Sequence, residues 1–330
     1  MEKTKKLTSA SIIRFILRGK TFLILIVLFV VLAIIAPHFL SVTNIMNIIR
    51  QNAANGVVSI GFTFVVASGN LDLSIGRMLG LIGVITALTS KLDGVPMVAV
   101  VALALVLGAV CGSMNGFIGT KLHIPMFITT VAMQGVFQGL NYLISHSSTV
   151  TQIPKGYIAI GQASLFGFLP VPVIIFLGMV VIAALLLNKT IFGRHLLAVG
   201  GNSQAAEVSG INKARVTMLV SIFMGLCAAI GALIMTGRAA SAQPEAGSGM
   251  EMDAIAAVII GGTTLGGGTG KVLGSLVGVL IIGMISNGLN LLGVDTNWQL
   301  VAKGLIIVAA VFLDYQTGQI SSRLSNRASK

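Results

Sequence analysis

The chain has 330 residues, of which 55% are hydrophobic and only 9% charged, against about 25% charged residues in ordinary soluble domains, so a water-soluble globular enzyme is excluded. A bilayer-crossing helix needs about 20 apolar residues, and this apolar content would fill about nine or ten of them. The 21 Lys and Arg against 9 Asp and Glu give a net charge of +12, but the bases are dispersed among loops and form no clustered patch of the kind that binds nucleic acid.

The N-terminal stretch MEKTKKLTSASIIRFILRGK is basic, and no small-residue cleavage site follows the apolar run at 21–36. That run reads as a retained first span and 1–20 as a basic tail. Further apolar stretches fall at 44–68, 77–90, 97–119, 124–144, 171–187, 216–236, 254–270, 272–293 and 299–314, several of them short or broken by glycine. The pattern predicts an all-α polytopic membrane protein with about ten transmembrane helices, in a single domain over 1–330.

Basic residues stay on the cytoplasmic side of a membrane. With the N-terminus inside, sixteen of the 21 Lys and Arg fall in inside segments, Arg77 and Lys271 among them, and three fall outside. Both termini are therefore expected in the cytoplasm, with a C-terminal tail at 315–330. Loops at 145–170 and 237–253 then face outward and the loop at 188–215 faces inward. The second outer loop would carry Glu245, Glu251 and Asp253 to the outer face.

Polar residues inside these spans mark what the apolar pattern does not need. In SGNLDLSIG (68–76), Asp72 lies between two apolar spans with Asn70 and Ser74 beside it. A carboxylate is costly in hydrocarbon and must face protein, water or the membrane edge. One reading puts these residues at a polar pathway or gate, where helix ends expose backbone groups. The other has Asp72 capping the next helix through the Ser74 and Ile75 amides, or pairing with Arg77.

Gln134, Gln138 and Asn141 share one helical face, and Asn287 and Asn290 lie three apart. Amides in such a pattern suit a hydroxyl-rich neutral solute, and they equally suit hydrogen bonds between helices. GGTTLGGGTGK (261–271) has Leu265 and Val272 where a phosphate-binding P-loop needs Gly and Ser or Thr. It reads as a close crossing or broken helix, with Thr263 and Thr264 as candidates to line a pathway. Gly76-Arg77-Met78-Leu79-Gly80 is similar to Gly270-Lys271-Val272-Leu273-Gly274, a pattern too short to establish an internal repeat.

In the inner loop, Ser203 is a good N-cap residue, Gln204 to Ser209 are compatible with a short helix and Gly210 suits its C′ position. Cys111 and Cys227 sit in apolar runs, and His38, His123, His146 and His195 occur singly. The sequence predicts no metal site and no catalytic constellation.

Three segments, SGNLDLSIG, VGGNSQAAEVSGI (199–211) and the long run from Glu251 to Val294, resemble the ribose-type sugar permeases of ATP-binding cassette importers, and the similarity extends from about Ile45 to Asp314. The run at 69–74 departs from the family pattern, with Asn70 where a second Gly is common. The resemblance implies a bacterial inner-membrane permease in which two permease subunits, identical or paralogous, form the pathway. It implies an extracytoplasmic binding protein that delivers a monosaccharide, and a separate ATPase subunit that carries ATP and Mg, with no cofactor on this chain. It also implies that Ser203, Ala205, Ala206, Glu207 and Gly210 couple to the ATPase, and that Glu245, Glu251 and Asp253 are candidates to dock the binding protein. An ion-coupled secondary transporter, or a permease of the same type for a non-sugar molecule, is the alternative.

Overall fold

The computed structural model describes residues 9–309 together with 311 and 312. In chain order the helices are α1 (Ser9–Ile35), α2 (Val42–Ala67), α3 (Ile75–Ser90), α4 (Met97–Lys121), α5 (Met126–Ser145), α6 (Lys155–Gln162), α7 (Val171–Lys189), α8 (Ile191–Gly201), α9 (Ser203–Val208), α10 (Lys213–Ala239), α11 (Met250–Ile260) and α12 (Val272–Leu291). A further helix, α13, occupies 296–309. A two-residue antiparallel pair, β1 (Ser164–Leu165) with β2 (Leu169–Pro170), joins α6 to α7.

Among the described residues, α4, α7, α10 and α12 are long and apolar enough each to cross a membrane. The expected spans recur as helices, with one large difference. The apolar pattern predicts a helix at 254–270, whereas α11 begins at Met250 and stops at Ile260. The run of glycines that follows cannot hold a helix, and Gly262 at φ +85° turns the chain away. Residues 9–20, expected as tail, continue into α1, while 1–8 and the tail at 315–330 lie outside the described residues.

Helices α2 and α10 form the centre. Val57, Ile60 and Phe64 of α2 and Met224, Ala228 and Ile234 of α10 are fully buried. On the outside, Phe29 of α1, Val106 of α4, Leu185 of α7 and Leu305 of α13 are exposed, as suits surfaces facing lipid tails.

The closest packing is between α4 and α10. Gly108, Gly112 and Gly116 repeat at every fourth residue along α4 and lie against Gly225, Ser221 and Met218 of α10. A Cβ on Gly112 would collide with the Ser221 carbonyl oxygen, and one on Gly225 with that of Gly108. Lipid tails are as apolar as leucine, so such helices associate by close backbone contact rather than by hydrophobic exclusion.

Candidate functional site

At about 1.5 Å per residue, the 16 residues of α3 reach about 24 Å and the 11 of α11 about 16 Å, both short of the roughly 30 Å hydrocarbon core. Each is preceded by non-helical chain, 70–74 before α3 and the turns of 240–249 before α11. The second segment starts at the protein face that carries α6, where Ala242 and Val150 exchange backbone hydrogen bonds of 2.8 and 2.9 Å. It then folds inward until the Gly247 carbonyl packs on Gly76, so closely that a Cβ on Gly76 would collide with it. From this meeting point α3 runs toward α6, where Thr86 bonds the Tyr157 hydroxyl, and α11 runs to the opposite face. Two helix N-termini thus meet between the faces.

Charged and polar side chains gather at that point. Arg77, in the first turn of α3, donates to Glu245 at 2.6 Å. The other carboxylate oxygen of Glu245 accepts from Gln138 Nε2 at 3.4 Å and from the Tyr142 hydroxyl, both on α5. Asn141 donates 2.7 Å to the Pro244 carbonyl and is buried, while Gln134 is half-buried.

The charge count placed Arg77 on the inner side and Glu245 on the outer; the ion pair puts them at one level. The correction has a plain cause. A basic residue flanking an apolar run reads as a loop residue, and only a partner distant in sequence reveals that it lies further in. The similar residues at 76–80 and 270–274 each fall at a helix start, the first in α3 at the break and the second in α12 beyond the 261–271 loop.

Asp72 is 2% exposed. Its Oδ1 accepts from the Ser74 amide at 2.9 Å and the Ser74 hydroxyl at 2.6 Å. Asn115 of α4 donates to Asp72 Oδ2 at 3.4 Å and to Ser74 Oγ at 2.8 Å. This is the geometry of a turn leading into α3, fixed to α4, and Arg77 is engaged elsewhere. Asp72→Asn keeps an acceptor oxygen for the Ser74 amide, and lost caps cost about 1 kcal/mol. We therefore expect solute uptake within about fivefold of wild type at normal membrane insertion. A greater loss at normal insertion would show that the negative charge itself is needed in transport.

The remaining candidates divide between helix packing and loop closure. Asn287 of α12 and Asn44 of α2 form a reciprocal amide pair at 2.9 and 3.0 Å, and Asn290 accepts from Gln299 at 2.8 Å. Thr263 accepts from the Lys271 amide at 3.1 Å, and Thr264 bonds Thr269 at 2.7 Å, so both close the 261–271 loop upon itself. Asn70 bonds Ser68 at 3.0 Å and lines a cavity of about 390 Å³ with His123, Glu207 and Lys213.

Of the three outer-loop carboxylates, Glu251 is buried in the first turn of α11 and Asp253 bonds Lys303 of α13 at 2.9 Å. Only Glu245 is exposed. The expectation that all three reach the outer face fails because 244–249 folds inward and α11 starts earlier than its apolar pattern.

In the loop at 188–215 α9 forms where expected, capped by Asn202 rather than Ser203. Asn202 Oδ1 accepts from the Ala205 amide at 3.0 Å. Gly210, at φ +82°, occupies the C′ position, and the bonds Gly210 N–H to Glu207 O at 2.9 Å and Ile211 N–H to Ala206 O at 3.0 Å complete a Schellman turn. Ala206 is buried against the protein, whereas Ala205 and Glu207 are exposed and Val208 is 92% exposed. The sequence reading passed over Val208, although an apolar residue on a short polar helix was the available signal. Upstream, α8 was not anticipated; its end packs by Gly200 on the Ala67 carbonyl, which also accepts the Gly268 amide at 2.9 Å.

The family described as branched-chain amino acid transport system / permease component matches residues 44–311, most of the chain. The chain belongs to this permease family. As a member it is a multi-pass membrane transport component and not an enzyme. The ribose import permease of Bacillus subtilis (strain 168) is 43% identical over 295 residues, covering 89% of this permease and 91% of that protein. The ribose import permease of Haemophilus influenzae is 37% identical over 309 residues, covering 92% and 95%. The L-arabinose transport system permease of Escherichia coli (strain K12) is 38% identical over 288 residues, covering 87% of each chain. No solved structure matches this permease.

Proposed function

We propose that this permease is the membrane subunit of an ATP-binding cassette importer that moves a monosaccharide of the ribose type by alternating access. The observation that carries the reading is the run of near-full-length relatives named for ribose, L-arabinose and xylose. In this reading ten helices cross a bacterial cytoplasmic membrane, with both termini and α9 inside. A second permease subunit completes the pathway, because a charged and amide-bearing surface such as that of Arg77, Glu245 and Gln138 is not stable against lipid. ATP and Mg belong to a separate ATPase subunit, which docks on α9 through Ala205, Glu207 and Val208. An extracytoplasmic binding protein delivers the sugar on the side that carries α6 and supplies most of the selectivity.

The test is co-purification of the tagged chain from its native membrane, followed by ATPase assay with binding proteins and with ribose, arabinose, xylose and leucine. An associated ATPase stimulated by one binding protein and one pentose supports the reading. Stimulation by leucine would favour the amino-acid substrate in the family description. A chain that purifies alone and takes up solute with an ion gradient would replace ATP drive with ion coupling.

A further inference from the structure

The ion pair at the break has a surface that helix packing leaves unexplained. Glu245 is 56% exposed in its side chain although both of its carboxylate oxygens have partners. Beside it the Gln138 amide oxygen is buried without a partner while its Nε2 donates to Glu245, and Tyr142 is exposed. On the same stripe of α5, Gly135 and Gly139 have nothing within 4 Å of where a Cβ would stand. The result is an open floor on α5 bordered by a guanidinium, a carboxylate and a phenol.

Each hydroxyl of a sugar both donates and accepts. A surface that alternates acceptors with fixed donors meets several such hydroxyls at once, whereas a lone cation or an apolar solute would satisfy only part of it. Arg77 and Glu245 offset each other's charge, and the Glu251 carboxyl lies against Gly76 beside them.

We propose that Arg77, Gln138, Tyr142 and Glu245 form a sugar-contacting station part-way along the translocation path. This inference rests on the sugar-permease reading above and adds to it the residues that touch the hydroxyls. The charge pair thereby serves two ends, joining the starts of α3 and α11 and offering its exposed oxygens to the passing solute.

The test uses the assembled transporter in proteoliposomes with its loaded binding protein. Uptake of ribose, arabinose or xylose, whichever wild type carries fastest, is compared with uptake of its single-deoxy forms. Tyr142→Phe removes the hydroxyl that donates to Glu245 and leaves the ring, so it is the variant least able to disturb folding; Glu245→Gln is the stronger one. Because the binding protein is the same throughout, its own preference cancels in the comparison of variant with wild type.

The expected result is a loss of about fivefold to tenfold in uptake of the full sugar. Discrimination against at least one deoxy form should shrink by a similar factor. Equal slowing of full and deoxy sugars by both variants, at normal insertion, would reduce the cluster to a brace between helices and overturn the proposal. Unchanged uptake would overturn it too. A wild-type transporter that carries leucine and no pentose would sink the sugar reading itself, and this station with it.

Discussion

Gly112→Leu is expected to abolish the folded protein. The α4 backbone at Gly112 lies on the Ser221 carbonyl of α10, with Gly108 and Gly225 in mutual contact one turn away. No side chain can move aside here, because the obstruction is main chain on both sides. Overpacking costs about 1–3 kcal/mol even where neighbours can shift, and this substitution must separate α4 from the central helix α10.

The measurement is the yield and melting temperature of the detergent-solubilised chain by fluorescence-detected size exclusion. A wild-type melting temperature would refute the packing account. Gly139→Leu is the control. Nothing lies within 4 Å of a Cβ there, so the chain should fold and melt normally while association with a second permease subunit weakens.

Val208→Asp is expected to uncouple the transporter. Val208 is 92% exposed at the end of α9, and full burial of such a side chain against a partner contributes about 1.5–3 kcal/mol. Replacing it with a carboxylate removes that burial and adds a desolvation cost. ATP hydrolysis stimulated by the binding protein should fall about tenfold or more, with insertion and melting unchanged because the residue touches so little of its own chain. Glu207→Arg should act in the same direction. Normal stimulation in both variants would remove α9 from the contact with the ATPase.

The helices were legible where composition alone decides them. Long apolar runs without strong breakers gave α4, α7 and α12 nearly to the residue, since nothing in a bilayer competes with the helix for such a run. What was not legible depends on contacts distant in sequence. Met250 to Asp253 look like loop because Glu251 and Asp253 are charged; they are helical, with Asp253 paired to Lys303 and Glu251 buried in the first turn. Arg77 reads as a loop base until Glu245 is found beside it. Asn44 and Asn287 are separated by 243 residues, and nothing local distinguishes such a pair from solute-facing amides. The turn at Asp72 and the C′ glycine at 210 were readable because capping is a local event, confined to three or four neighbouring residues.

The glycine contact at the end of α8 has a mechanical consequence. Gly200 is wedged against the Ala67 carbonyl and beside Gly267 and Gly268, so the helix pair that carries Val208 bears on the end of α2 and on the loop after α11 through one fulcrum. A push on α9 would therefore reach the chain leading into the 70–74 break and the loop after α11 in the same stroke. Synchrony of this kind is what keeps a carrier from becoming a channel: if one half lagged, both mouths of the path would stand open together and the solute gradient would leak away.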